Sequence, residues 1–190
     1  MIEGNWMSRE SFCNTCKIDP TQTALSPLLR LLLLSDGTMT HILETLFLEK
    51  IGFELKEQSE IIPSEEEAHR LSIPKGEKVI KRQGWLVVKK SQKRVLYVDS
   101  ILSCSQRFPS FYQEISLGEK PLGQIIEDQN LLARRDQIEI GRFPLHQIAG
   151  ELGSSDPLIW ARRYRLTLSG ERSALLFEAV SPKIVDCIPA

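Results

Sequence analysis

The chain has 190 residues, 42% hydrophobic and 26% charged, and its 24 Lys plus Arg against 25 Asp plus Glu leave a formal charge of -1. That balance fits one globular core and supplies no global field for nucleic acid or an anionic membrane, so any anion site has to be local. The longest apolar runs have four residues, such as Leu31 to Leu34, too short to cross a bilayer.

Residues 1 to 22 show neither helical nor strand periodicity, which predicts an N-terminal extension with little core, ahead of a domain over 23–190. Met1-Ile2-Glu3-Gly4-Asn5 lacks the basic and apolar regions of a signal peptide, so a cytoplasmic location is expected; a monomer is expected as well. Pro27 suits a first helical turn, and the apolar run to Leu34 predicts a buried helix that Ser35-Asp36-Gly37 ends. Thr38 or Thr40 can cap a second helix, with Ile42, Leu43, Leu46 and Phe47 on one face. Ile51, Phe53 and Leu55 alternate with Gly52, Glu54 and Lys56 as in a half-buried strand. Ser64 caps a short acidic helix to about Leu71. Residues 78–89 and 95–103 read as a hairpin, and short helices follow at 109–117 and 121–127. A strand is expected at 136–143, then an insertion from Pro144 to Asp156. Ile159 to Leu168 and Ser173 to Val180 form a second hairpin around Ser169-Gly170-Glu171-Arg172. The sum is an α+β domain, an antiparallel sheet with helices packed on it.

Charge lies where alternation calls for burial. Arg82 shares a strand face with Ile80, Gly84, Leu86 and Val88, Glu178 with Ala174, Leu176 and Val180, and Arg162 with Trp160, Tyr164 and Leu166. Such groups are either paired with one another or placed for a charged ligand. Other chemistries lack their cues. Cys13 and Cys16 form one CxxC, while Cys104 and Cys187 stand apart, so no zinc ribbon is expected. His41, His69 and His146 are scattered, and HExxH, GxSxG, GxGxxG and GxxxxGK[ST] are absent. Lys89, Lys90, Lys93 and Arg94 cluster at a hairpin tip, as a solvated turn would, without the aromatics of a nucleic-acid surface.

Four segments carry a family resemblance. They are Leu31-Leu32-Leu33-Leu34-Ser35-Asp36-Gly37-Thr38-Met39-Thr40, the Arg82 strand, Lys120-Pro121-Leu122-Gly123, and Ile138-Glu139-Ile140-Gly141-Arg142 with Trp160-Ala161-Arg162-Arg163-Tyr164-Arg165-Leu166-Thr167-Leu168-Ser169-Gly170. In this order, from about Leu31 to Pro182, the sequence resembles chorismate pyruvate-lyase, the 4-hydroxybenzoate synthase of quinone biosynthesis. The resemblance implies a six-stranded antiparallel sheet and a ligand enclosed under two helical flaps. It also implies cofactor-free, metal-free conversion of chorismate to 4-hydroxybenzoate and pyruvate, the first committed step toward a ubiquinone or plastoquinone head group. By residue, it assigns ligand contacts to Met39, Arg82, Leu122 and Glu178, with Arg82 and Glu178 as the catalytic pair. Asp99 stands where some members carry a second arginine, leaving Arg134, Arg135, Arg162 or Arg163 as replacements. The same fold also serves as an effector-sensing domain in bacterial regulators, so a non-catalytic aromatic-acid binder is the alternative. Those sensors follow a helix-turn-helix domain, which about 22 residues would not hold.

Overall fold

A computed structural model describes residues 4–18, 25–103 and 107–188. Seven strands form one antiparallel sheet in the order β1-β5-β6-β7-β4-β3-β2. They are β1 (Met7–Ser8), β2 (Ile51–Ile61), β3 (Val79–Val88), β4 (Lys93–Ser103), β5 (Ala133–Pro144), β6 (Leu158–Leu168) and β7 (Glu171–Val180). The helices are α1 (Arg9–Ile18), α2 (Pro27–Leu34), α3 (Met39–Phe47), α4 (Glu65–Leu71), α5 (Pro109–Leu117), α6 (Leu122–Asp128) and α7 (His146–Glu151).

The six strands expected are present, and β1 makes a seventh by pairing Met7 with Ile140 and Ser8 with Glu139 on the outer edge of β5. A two-residue strand is too short to show a period of two, which is why the sequence did not reveal it. Much of the segment read as an extension is also built into the fold. The Ser8 hydroxyl accepts from the Ser11 N–H at the start of α1, and Phe12 is fully buried against the edge of Trp160. The expected boundary between residues 22 and 23, and Cys104, lie outside the described residues, as does the side chain of Cys16.

Ser26 caps α2 by accepting from the Leu29 N–H, with Pro27 in the first turn, so the helix starts where the sequence placed it. Ser64 and Glu67 close a capping box on α4, joining two of the orphan donors at a helix start. On one face of the sheet, Leu32 and Leu33 of α2 and Met39, Leu43 and Phe47 of α3 pack on Leu86, Leu96, Ile140 and Val180. Beside them Phe111 and Ile115 of α5 and Ile125 and Ile126 of α6 pack on Leu102, Tyr164, Leu166 and Leu176. The other face is covered by α7 over Phe143, Ile159 and Phe177, and by Leu71 of α4 over Ile101 and Leu175.

Two register shifts decide which side chains face the first of these layers. Between Asp136 and Glu139 of β5 one extra residue is inserted against β6, and Gln137 takes a left-handed φ of 53°. Arg135 therefore points to the same side as Ile138 and Ile140 despite the change from odd to even numbers. Between β6 and β7, Thr167 pairs with Arg172 but Leu166 pairs with Ala174. Ser173 is the extra residue, and it brings Arg162 opposite Glu178.

Candidate functional site

An enclosed pocket lies between the sheet and the starts of α3 and α6. Its floor is drawn from two adjacent rows of cross-strand partners, of which Arg82, Val98, Ser100, Tyr164, Leu176 and Glu178 line the pocket. One row runs Arg82, Ser100, Leu176 and Tyr164 through β3, β4, β7 and β6, and the next runs Gly84, Val98, Glu178 and Arg162. The roof is Thr38, Met39 and Thr40 at the start of α3 and Leu122 and Gly123 at the start of α6. A Cβ on Gly123 would lie 2.4 Å from Thr38 Cγ2 and 2.7 Å from Thr40 Oγ1, so the two helix starts meet only because this residue has no side chain. The cavity volume is about 40 Å³, room for a few waters.

Arg82 is 3% exposed. Its guanidinium lies 3.9 Å over the ring of Phe53, which in turn lies across Gly84, where a Cβ would come within 2.4 Å of that ring. Nη2 donates to the Lys120 carbonyl at 2.7 Å, while Nε is buried with no partner among the described residues. No carboxylate pairs with Arg82 among the described residues. Burial alone pushes its pKa down from 12.5 to about 10, because the charged form has lost its water without gaining a counter-ion.

Glu178, 4% exposed, is in the opposite situation. Its Oε2 accepts from Arg162 Nε at 2.6 Å and its Oε1 from the Tyr164 hydroxyl at 2.9 Å. Arg162 is fully buried and its Nη1 donates to the carbonyls of Leu32, at 2.9 Å, and Ser35, near the end of α2. Burial works against the Arg162 charge, but Glu178 and Tyr164 outweigh it and hold its pKa above the usual value. Burial, reinforced by Glu178, pushes the Tyr164 phenol up to about 12. The Arg-Glu pair of this site is thus Arg162 with Glu178, and Arg82 is left over.

Met39 is buried at the first position of α3 and Leu122 is half-buried at the first position of α6, so all four residues expected at the site line one pocket. The sequence missed the roof threonines and Gly123, whose signals are ordinary capping and turn chemistry. It also left open which arginine accompanies Arg82. Asp99 lies on the opposite face, where its carboxylate accepts from Gln83 Nε2 at 2.8 Å and burial raises its pKa. Arg163 pairs with Glu139 and stacks on Trp6, Arg134 is exposed, and Arg135 lines the pocket. Among the described residues no group of His, Cys, Asp or Glu side chains is arranged to hold a metal, and no helix is long and apolar enough to cross a membrane.

A family model described as chorismate pyruvate-lyase Rv2949c-like matches residues 33–187. The chain belongs to that family. No curated protein sequence matches the chain. Among solved structures, the effector domain of PhnF from Mycobacterium smegmatis is 16% identical with a TM-score of 0.60, over 77% of this chain and 90% of that one. The ligand-binding domain of a putative GntR-family regulator from Bordetella bronchiseptica is 15% identical at 0.56, over 69% and 84%. The possible transcriptional regulator YydK from Bacillus subtilis is 15% identical at 0.53, over 70% of this chain, which spans only 60% of that protein. At these identities the likeness is one of fold.

Proposed function

We propose that this member of the family is a lyase that converts chorismate to 4-hydroxybenzoate and pyruvate. The observation that carries the reading is the buried, unpaired Arg82 in a closed, largely apolar pocket, facing a Glu178 already neutralised from below. A cation in that state is completed by an anionic ligand. The ring carboxylate fits it, with the Phe53 face behind the guanidinium and the first-turn N–H groups of α3, which have no intrahelical acceptor, as further donors.

Glu178, engaged by Arg162 and Tyr164, acts as an acceptor and takes the hydrogen bond of the ligand's 4-hydroxyl. That contact orients the ring between two fixed points, so positioning supplies much of the acceleration. In the reaction the C3–O bond breaks with its electrons leaving on the enolpyruvate oxygen. The C4 hydrogen departs as a proton, its electron pair completes the aromatic ring, and enolpyruvate takes up a proton on carbon to become pyruvate. No other reactant is consumed. The roof excludes water and has to open for the product to leave. The product would feed quinone head-group synthesis, as the sequence resemblance implies.

Purified protein incubated with chorismate is expected to release pyruvate and 4-hydroxybenzoate in equal amounts. Glu178→Gln should slow this at least tenfold with a smaller change in KM. Absence of pyruvate above the uncatalysed rate would sink the lyase reading. The second reading, a binder of aromatic acids, is favoured by the effector domains among the structural neighbours. It predicts saturable 4-hydroxybenzoate binding without turnover.

A further inference from the structure

Four arginines and one glutamate decide the charge balance around the pocket. Arg162 and Glu178 cancel. Arg163 lies on the far side in its own ion pair. Arg82 and Arg135 remain, both lining the pocket and both without a carboxylate partner among the described residues. Arg135 Nε, like Arg82 Nε, is buried with no acceptor among the described residues. Arg135 Nη1 donates to the backbone carbonyl of Asp36 at 3.2 Å, and its guanidinium lies 5.8 Å from the Tyr164 ring centre. The Asp36 carboxylate is turned to Arg9.

The two arginines approach from opposite sides. Arg82 stands on β3 and Arg135 on β5, four strand spacings apart, ~19 Å along the sheet. Arg135 also lines the open groove outside the roof, next to Asp36, Gly37 and Thr38, so it stands at the boundary between pocket and solvent. A pocket with two unmatched positive charges at its two ends suits a small dianion better than a monoanion.

We propose that Arg135 is a substrate-binding residue, the anchor for the second carboxylate of a dianionic ligand whose first carboxylate is held by Arg82. This rests on the lyase reading for the identity of the dianion. The enolpyruvyl carboxylate of chorismate then lies toward β5 and the groove, and the ring carboxylate toward β3. Pyruvate carries the second charge away, so the aromatic product is held by Arg82 alone and Arg135 distinguishes substrate from product.

The test compares Arg135→Gln, Arg135→Lys and the exposed control Arg134→Gln in chorismate turnover and in titrations with chorismate and with 4-hydroxybenzoate. Arg135→Gln should raise the KM and Kd for chorismate more than tenfold while changing the Kd for 4-hydroxybenzoate less than twofold. Arg135→Lys should recover part of the loss, and Arg134→Gln should match wild type. A merely structural role would weaken both ligands together, and that result overturns the assignment, as does an unchanged KM in Arg135→Gln. Failure of wild type to form pyruvate would defeat the lyase reading separately. The titrations then decide Arg135 alone, with a selective loss of chorismate affinity supporting it and equal affinities, or no chorismate binding by wild type, overturning it.

Discussion

Arg82 and Arg162 are both almost completely buried, yet replacing each by Met is expected to have very unequal effects on stability. Arg82 has no counter-ion among the described residues, and the fall of its pKa from 12.5 to about 10 corresponds to roughly 3 kcal/mol of disfavour toward the charged form. A base whose folded pKa lies below its unfolded value binds fewer protons when folded, so this penalty is complete below pH 10 and fades only as the pH rises toward 12.5. Arg82→Met removes the penalty. It also removes one hydrogen bond to a carbonyl, worth about 1.5–3 kcal/mol for a charged donor, and the stacking on Phe53, about 0.5–1 kcal/mol. The terms nearly cancel, and the unliganded variant should lie within about 1 kcal/mol of wild type, which for a chain of this size is about 2–4 °C in Tm. Arg162→Met instead strands a buried carboxylate, at a cost of about 3–5 kcal/mol, or ~6–20 °C. Thermal melts of the three proteins, with and without 4-hydroxybenzoate, read both effects. At a hundred times Kd the ligand should stabilise wild type by about 2.7 kcal/mol and Arg82→Met not at all. An Arg82→Met protein that melts as early as Arg162→Met would refute the claim that Arg82 is uncompensated.

The double variant Arg162→Met/Glu178→Leu replaces the whole ion pair by apolar groups and should recover most of the stability lost in Arg162→Met. A urea denaturation cycle in which the two losses simply add would count against a coupled pair. Gly123→Ala places a Cβ against Thr38 and Thr40, which should cost about 1–3 kcal/mol and speed 4-hydroxybenzoate release, and stopped-flow dissociation that matches wild type would refute the roof contact. Tyr164, with its pKa pushed up to about 12 by burial and then by Glu178, holds its proton more tightly folded than unfolded. Its contribution is full below pH 10 and is lost as pH climbs from 10 to 12. The urea midpoint should therefore fall between pH 9 and pH 11, and fall less in Tyr164→Phe.

Most of the elements were legible because the periodicities are strong. The alternation that set Arg82, Arg162 and Glu178 on apolar faces is the same regularity that places them on the sheet face beneath the pocket. What was not legible depends on single inserted residues. Extending the register of Leu168 with Glu171 without a bulge would set Arg162 opposite Phe177, and only the extra residue at Ser173 delivers Glu178. Likewise Arg134 and Arg135 cannot be told apart by alternation when a bulge at Gln137 changes which parity faces inward. The packing of Phe12 and the pairing of Met7 with Ile140 depend on long-range contacts that a short segment does not advertise. The resemblance named Arg82 and Glu178 together, and it said nothing of the partner that neutralises one and leaves the other bare.

The polar groups of the pocket floor are divided between two hairpins. Arg82 belongs to β3–β4, while Glu178 joins Arg162 and Tyr164 by hydrogen bonds on β6–β7. No hydrogen bond or ion pair links Arg82 to that set, so a change at one is expected to leave the geometry of the other intact, and their effects should add. A site divided in this way can exchange its anion receptor and its hydroxyl receptor one at a time. A single substitution at Arg82 can therefore shift the preferred anion without an unfolded intermediate sequence, whereas a change at Glu178 needs a matching change at Arg162.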